Sequence, residues 1–158
     1  MRDEIYANVM EECWDDDLQS FVQATGSDTV DAGLLLMPQV KFVAPQDPRF
    51  LSTLKVIEER LVTDTLVFRY DVEAVSDGVS GGEGTFSLCS FWYVEALTRV
   101  GRLDEARLAL EKMFTYGNHL GLYAEQIGLT GDQLGNFPQA FTHLALISAA
   151  HNLDRELG

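Results

Sequence analysis

The sequence predicts an all-α protein assembled from helical hairpins, with one or two short extended segments, and three observations carry that prediction. Phe50, Leu54, Ile57 and Leu61 recur at spacings of four, three and four, which is one face of a helix, and Glu58, Glu59 and Arg60 fall outside it. Residues 85–100 carry Phe86, Leu88, Cys89, Phe91, Trp92, Val94, Leu97 and Val100 on more than one face, with the first charge at Glu95, as an enclosed helix would. Gly101 ends that run, and Leu103, Ala106, Leu110 and Met113 at once begin a new stripe. So short a connection makes 85–100 and 103–114 an αα-hairpin with one enclosed and one partly exposed member. Hairpins of this kind build helical solenoids and double-ringed helical barrels.

The remaining elements follow in order. Ile5, Tyr6, Val9, Met10 and Cys13 form the stripe of an amphipathic helix over 2–14 that should pack on one face. Asp15, Asp16 and Asp17 read as a solvated turn, and 18–24 as a short strand or extended loop. The turn TGSD at 25–28 leads to Asp28 or Thr29 as a cap for a short, buried helix over 30–37 that Pro38 ends. Asp31 is either a first-turn acid favoured by the helix dipole or a group facing a ligand cavity. Residues 62–70 are rich in β-branched and aromatic side chains and read as extended. The glycine-rich 77–84 is either a turn-rich connector or a second rim loop. Past a long loop over 118–143, Asn136 and Pro138 supply a cap with proline in the first turn. Leu144, Ala145, Leu146, Ile147, Ala149 and Ala150 predict an almost wholly buried final helix, and 151–158 turns polar and should fray. The whole of 1–158 reads as one domain.

Charge and composition narrow the function. With 25 acidic and 11 basic residues the formal net charge is -14, which repels nucleic acid and anionic membrane surfaces and suits neutral or cationic small ligands. Cys13 and Cys89 are too far apart for a C-x-x-C knuckle, and His119, His143 and His151 lack the i,i+4 spacing of a metal helix, so no metal or other cofactor is expected. No G-x-S-x-G elbow and no Walker box is present, and 77–84 lacks the lysine a phosphate loop needs. No apolar run approaches the ~18 residues of a membrane span, and no apolar segment follows Arg2 as in a secretory signal, so the expected setting is the cytoplasm.

Glu125 stands out in the long loop. It is flanked by Leu122, Tyr123, Gln126 and Ile127, and no lysine or arginine occurs between Asn118 and His143. A carboxylate in such surroundings either has its protonation tuned for general acid or base work or takes backbone hydrogen bonds and holds the loop. His143 is read as a hydrogen-bonded core or rim histidine, with catalytic base as the alternative.

Four motifs then carry a resemblance: EGTFSLCSFWYVEALT at 83–98, GRLDEA at 101–106, GLYAEQ at 121–126 and LGNFPQAFTH at 134–143. Together with DAGLLLMP at 31–38 they resemble the C-terminal part of glycoside hydrolase family 15, the glucoamylases, glucodextranases and some trehalases. The resemblance implies a partial (α/α)6 barrel with its site in the funnel of loops at one end, and hydrolysis of α-glucosidic bonds with inversion, without metal or organic cofactor. It assigns Glu125 as the general base, and Gly121, Tyr123, Gln126 and Asn136 as substrate-binding or supporting groups. An inverting site needs a second carboxyl about 6.5–9.5 Å away to protonate the leaving oxygen. In the family that acid belongs to an earlier Trp-Glu segment, which has no counterpart before Asp31.

The expected ligand is therefore an α-linked glucose saccharide (glucan, oligosaccharide or trehalose), and the chain is expected to be inactive alone. Its partner would be a second copy or the missing N-terminal half. The alternative is a non-catalytic helical-hairpin interaction domain, since GRLDEARLAL resembles half of a tetratricopeptide unit; the even period of about 34 residues that such a solenoid needs is missing.

Overall fold

A computed structural model of the chain describes residues 1–71 and 83–158. Among the described residues there are five α-helices: α1 (Arg2–Glu12), α2 (Pro48–Leu61), α3 (Ser87–Val100), α4 (Leu103–Phe114) and α5 (Ala140–Leu157). Two-residue strands link them, and a short 3-10 helix occupies Ala32–Leu36. The most enclosed element is α3, where Phe91, Val94, Ala96 and Leu97 are buried, with α4, α5 and the short 3-10 helix packed around it. Gly101 reverses the chain after α3, so α4 returns antiparallel beside it. The N-terminal ends of α3 and α5 are both tied to the 123–125 stretch, through Ser87 N to Glu125 O and Gln139 N to Tyr123 O, and midway along them Glu95 meets Ser148 and Asn152, which makes these two helices parallel neighbours. Parallel inner helices joined by outer ones are the repeating unit of an (α/α) helical barrel, and the molecule is a part of one.

Glu95 is 3% exposed and almost fully paired. Its Oε1 accepts from Arg99 Nη2 at 2.6 Å and Asn152 Nδ2 at 3.1 Å, and its Oε2 from Ser148 Oγ at 2.7 Å and Gln39 Nε2 at 3.4 Å. A buried carboxylate is tolerated only with such a donor set. On the outer side, Arg102 joins Glu58 of α2 to Glu105 of α4, and Glu58 also accepts from Tyr93 of α3.

Short hairpins close the connections. β1 (Trp14–Asp15) pairs with β2 (Ser20–Phe21) across the acidic turn, so the extended segment of 18–24 is real but only two residues long. β3 (Val62–Thr63) pairs with β4 (Leu66–Val67), and Asp64 and Thr65 at its turn both have positive φ, the primed turn that suits strand twist. β5 (Thr85–Phe86), β6 (Gln126–Ile127) and β7 (Gln133–Leu134) form one antiparallel sheet in that order.

Several expectations are corrected. Residue 85 does not begin α3, because Thr85 and Phe86 are drawn into β5 by Ile127 and Gln126. The cap of the short helix is Asp31, whose carboxylate accepts from Gly33 N at 2.6 Å, and neither Asp28 nor Thr29. The final helix begins at Ala140 with Gln139 at its cap position, past Asn136 and Pro138, and the Phe137–Pro138 peptide is cis.

It is also not wholly buried. Thr142, Ala145, Ala149 and Leu153 are buried and Leu146 and Ala150 partly so, while Phe141, Leu144 and Ile147 are about two-thirds exposed, because α3 and α4 pack on one side alone. Nor does it fray at 151: Leu153 is buried and Asn152 bonds Glu95, so the helix runs to Leu157. The stripe on α1 buries no residue, and Tyr6 lies on Phe42 with ring centroids 5.0 Å apart while remaining exposed. The glycine-rich reading of 77–82 lies outside the described residues; Glu83 and Gly84 lie inside.

Among the described residues no helix is long and apolar enough to cross a membrane.

Candidate functional site

The β5–β6–β7 sheet precedes both α3 and α5, so it sits at the N-terminal end of the two parallel inner helices. Glu125 leads into β6. The backbone around it is tied on three sides. Tyr123 N donates to His143 Nε2 at 3.3 Å and Tyr123 O accepts from Gln139 N at 3.1 Å, both in or just before the first turn of α5. Glu125 N donates to Asn136 O at 3.0 Å, and Glu125 O accepts from Ser87 N, the first residue of α3, at 3.0 Å. The carboxylate is thus carried by a loop whose backbone groups are spent on rigid elements, as a positioned functional group requires.

The side chain of Glu125 is half-buried, so it is not enclosed by apolar groups. Its Oε2 accepts from Asn136 N at 2.9 Å and from Asn136 Nδ2 at 3.0 Å. Oε1 receives none of the hydrogen bonds found among the described residues. Gly135 approaches so closely that a Cβ there would lie 2.6 Å from Oε2. One oxygen is therefore clamped, and the two oxygens of the carboxylate stand in different surroundings.

The other predicted residues fall in distinct places. Asn136 is the direct clamp. Gln126 is half-buried at the start of β6, and its Oε1 accepts from Gly84 N at 3.0 Å. Tyr123 is 4% exposed, edge-on to Phe91 at 5.6 Å and to His143 at 5.8 Å, and burial raises its phenol pKa above the usual range. It supports the loop from beneath. Gly121 is exposed at the loop's start, where its N–H closes a turn to Asn118 O at 2.8 Å.

A second polar group lies at the same end. Arg69 Nη2 donates to Glu83 Oε1 at 2.8 Å and to the Tyr70 hydroxyl at 2.6 Å, and its guanidinium stands 4.5 Å from the Tyr70 ring centre and 4.9 Å from that of Phe86. Asp31 joins it through the bridge to Tyr70 and through Ala32 N, which donates to Arg69 O. Burial pushes the Asp31 carboxyl up, against the opposing pull of Gly33 N and of the Arg69 charge. Arg69 and Glu83 escaped the sequence reading because their pairing spans fourteen residues across two segments read as strand and connector. The available signal was a lone arginine within VFRY at 67–70.

Among the described residues no cluster of three or more His, Cys, Asp or Glu side chains suits a metal ion. Clefts of 550 and 480 Å³ lie beside α1 and between α4 and α5, and Glu125 lines neither. A smaller one of 250 Å³ runs between α3 and α5, lined by Leu88, Trp92, Phe141 and Leu144 with Glu95 at its floor.

A partial helical barrel bearing one positioned carboxylate at its loop end is matched by comparison with known proteins. Residues 1–151 match the family described as glycosyl hydrolases family 15. The chain belongs to that family. It is 46% identical over 155 residues to the trehalase of Thermoplasma acidophilum, an alignment covering 98% of this chain and 26% of the relative. To the trehalase of Mycobacterium tuberculosis it is 45% identical over 154 residues, 97% of this chain and 22% of the relative. The chain therefore spans about a quarter of the length of these curated relatives. In fold it is similar to a solved glycosidase, with a TM-score of 0.82 at 22% identity over 96% of this chain and 43% of that one. It is similar also to a bacterial glucoamylase solved with acarbose, with a TM-score of 0.78 at 15% identity over 96% of this chain and 28% of that one.

Proposed function

We propose that this chain supplies the general base, Glu125, to an inverting glycosidase acting on α-glucosidic bonds, with trehalose as the first substrate to test. The observation that carries the reading is the asymmetric hold on the carboxylate. Asn136 fixes Oε2 with two hydrogen bonds, and Oε1 remains available to orient and deprotonate a water. The choice of trehalose rests on relatives named trehalase at 44–47% identity. Gln126, Asn136 and Gly121 are proposed to shape the floor and rim around that water, and Tyr123 to hold the floor from below.

An inverting site requires a second carboxyl about 6.5–9.5 Å from the first, acting as acid on the leaving oxygen. We place that acid outside this chain, in the amino-terminal part of a family 15 domain, of which 1–158 is the carboxy-terminal unit. The stripe of Phe141, Leu144 and Ile147 on α5 is the surface that part would cover. A cytoplasmic setting fits the two free thiols, Cys13 and Cys89.

The test is reconstitution. The purified chain alone should release no glucose from trehalose or maltooligosaccharides. Co-expressed with the portion of the Thermoplasma acidophilum trehalase outside the match, it should gain trehalose hydrolysis, and Glu125→Gln should abolish it. Restored turnover that survives Glu125→Gln would overturn the assignment of the base. Turnover by the chain alone that is lost with Glu125→Gln would overturn the need for a partner.

A further inference from the structure

We infer that His143 is a positioning residue for Glu125, acting through the Tyr123 backbone by accepting its N–H on a neutral, Nδ1-protonated imidazole; this rests on the reading of Glu125 as the base. The tautomer follows from what faces each nitrogen. Nδ1 lies 2.7 Å from Gln139 O, a carbonyl that can only accept, so Nδ1 carries the proton. Nε2 lies 3.3 Å from Tyr123 N, an amide that can only donate, so Nε2 carries the lone pair. The ring is half-buried and sits edge-on to the Tyr123 phenol, which is itself packed on Phe91 of α3.

Two residues beyond Tyr123 stands Glu125. Gln139 N holds Tyr123 O from the other side of the peptide unit, so the first turn of α5 grips both ends of that residue. Removing the acceptor at Nε2 strands a buried donor and frees the stretch that sets the height of the carboxylate against Asn136. No other acceptor for Tyr123 N occurs among the described residues. The role is therefore chemically narrow: an acceptor at the Nε2 position satisfies it, whereas an acceptor nearer the backbone does not. Glutamine places its Oε1 near the Nε2 position, and asparagine reaches only the Nδ1 position.

The experiment uses the 158-residue chain and needs no turnover, so its failure is separate from failure of the Glu125 assignment, which Glu125→Gln tests. Long-range ¹H–¹⁵N correlation at pH 8 should show His143 protonated at Nδ1 and bare at Nε2. Amide hydrogen exchange at Tyr123 and Glu125 should stay within about twofold of wild type in His143→Gln and rise about fivefold or more in His143→Asn. A ring protonated at Nε2, or equal exchange in the two variants, overturns the proposal. Should His143→Asn fail to fold, the wild-type tautomer and the His143→Gln exchange rates still decide it.

Discussion

At Gly135 the backbone has φ +73°, and a Cβ there would meet the Glu125 carboxylate at 2.6 Å. Gly135→Ala therefore costs about 1–2 kcal/mol for the left-handed conformation alone and must also push the carboxylate off Asn136. Urea denaturation should register the first effect, and loss of the reconstituted activity the second. Asp31 offers a pH test. Its folded carboxyl lies above 3.8 because burial disfavours the charge, so folding takes up a proton as pH falls. The stability it contributes is complete below the unfolded value of about 3.9 and is lost as pH rises through the raised folded value. Asp31→Asn keeps an oxygen for Gly33 N but does not titrate. Its melting temperature relative to wild type should be higher at pH 7, with the gain shrinking as pH falls toward 4; a pH-independent difference would refute this. Cys89 is 1% exposed and its thiol is pushed up to about 12, foremost by burial. A thiol reagent at pH 8 should label Cys13 in the folded chain and reach Cys89 only on unfolding.

Among the elements, the contact between α3 and α5 has little tolerance for volume. Ala149 is fully buried there, and Ala149→Leu should lower stability by about 1–3 kcal/mol, measured by chemical denaturation. Glu95→Ala removes the acceptor shared by Arg99, Asn152, Ser148 and Gln39 and should cost about 3 kcal/mol or more. By contrast, Leu144→Lys on the open stripe should leave stability within about 0.5 kcal/mol. These contrasts also explain what the sequence could reveal. The helices α2, α3 and α4 were legible because their apolar periods are answered by neighbours within the chain. On α5, Leu144 and Ile147 have the same chemistry as core residues but face a side that no described element covers, so hydrophobicity alone misjudged them. Glu125 was legible as an isolated carboxylate, whereas Asn136 was singled out as a supporting group only through the family resemblance, because it lies eleven residues on and meets Glu125 only through the fold of the β6–β7 hairpin. The cap at Asp31 was missed because the helix it starts is a tight 3-10 turn, which leaves almost no periodicity to read.

At the scale of the molecule, a barrel cut through its ring leaves two unfinished edges. One carries Ile5, Tyr6 and Val40 beside α1, and the other the apolar stripe of α5. Apolar edges favour association, while a net charge of -14 on each copy opposes pairing of like with like. Sedimentation at micromolar concentration should therefore show self-association that strengthens with added salt, as screening removes the repulsion. Supplying the amino-terminal portion should replace it with a one-to-one complex. A compact monomer at every salt concentration would show that these edges need no cover.

The hairpin that carries β6 and β7 has one more use. Its tip closes on itself through Gly128 N to Asp132 O and Gly131 N to Gly128 O, and Leu129 at the summit is 87% exposed. All the ties that fix the carboxylate lie below this tip, at Tyr123, Glu125 and Asn136. A fluorophore or short peptide tag inserted at Leu129 would therefore stand clear of those ties, giving an optical gauge of events around the hairpin that leaves the Glu125 backbone undisturbed.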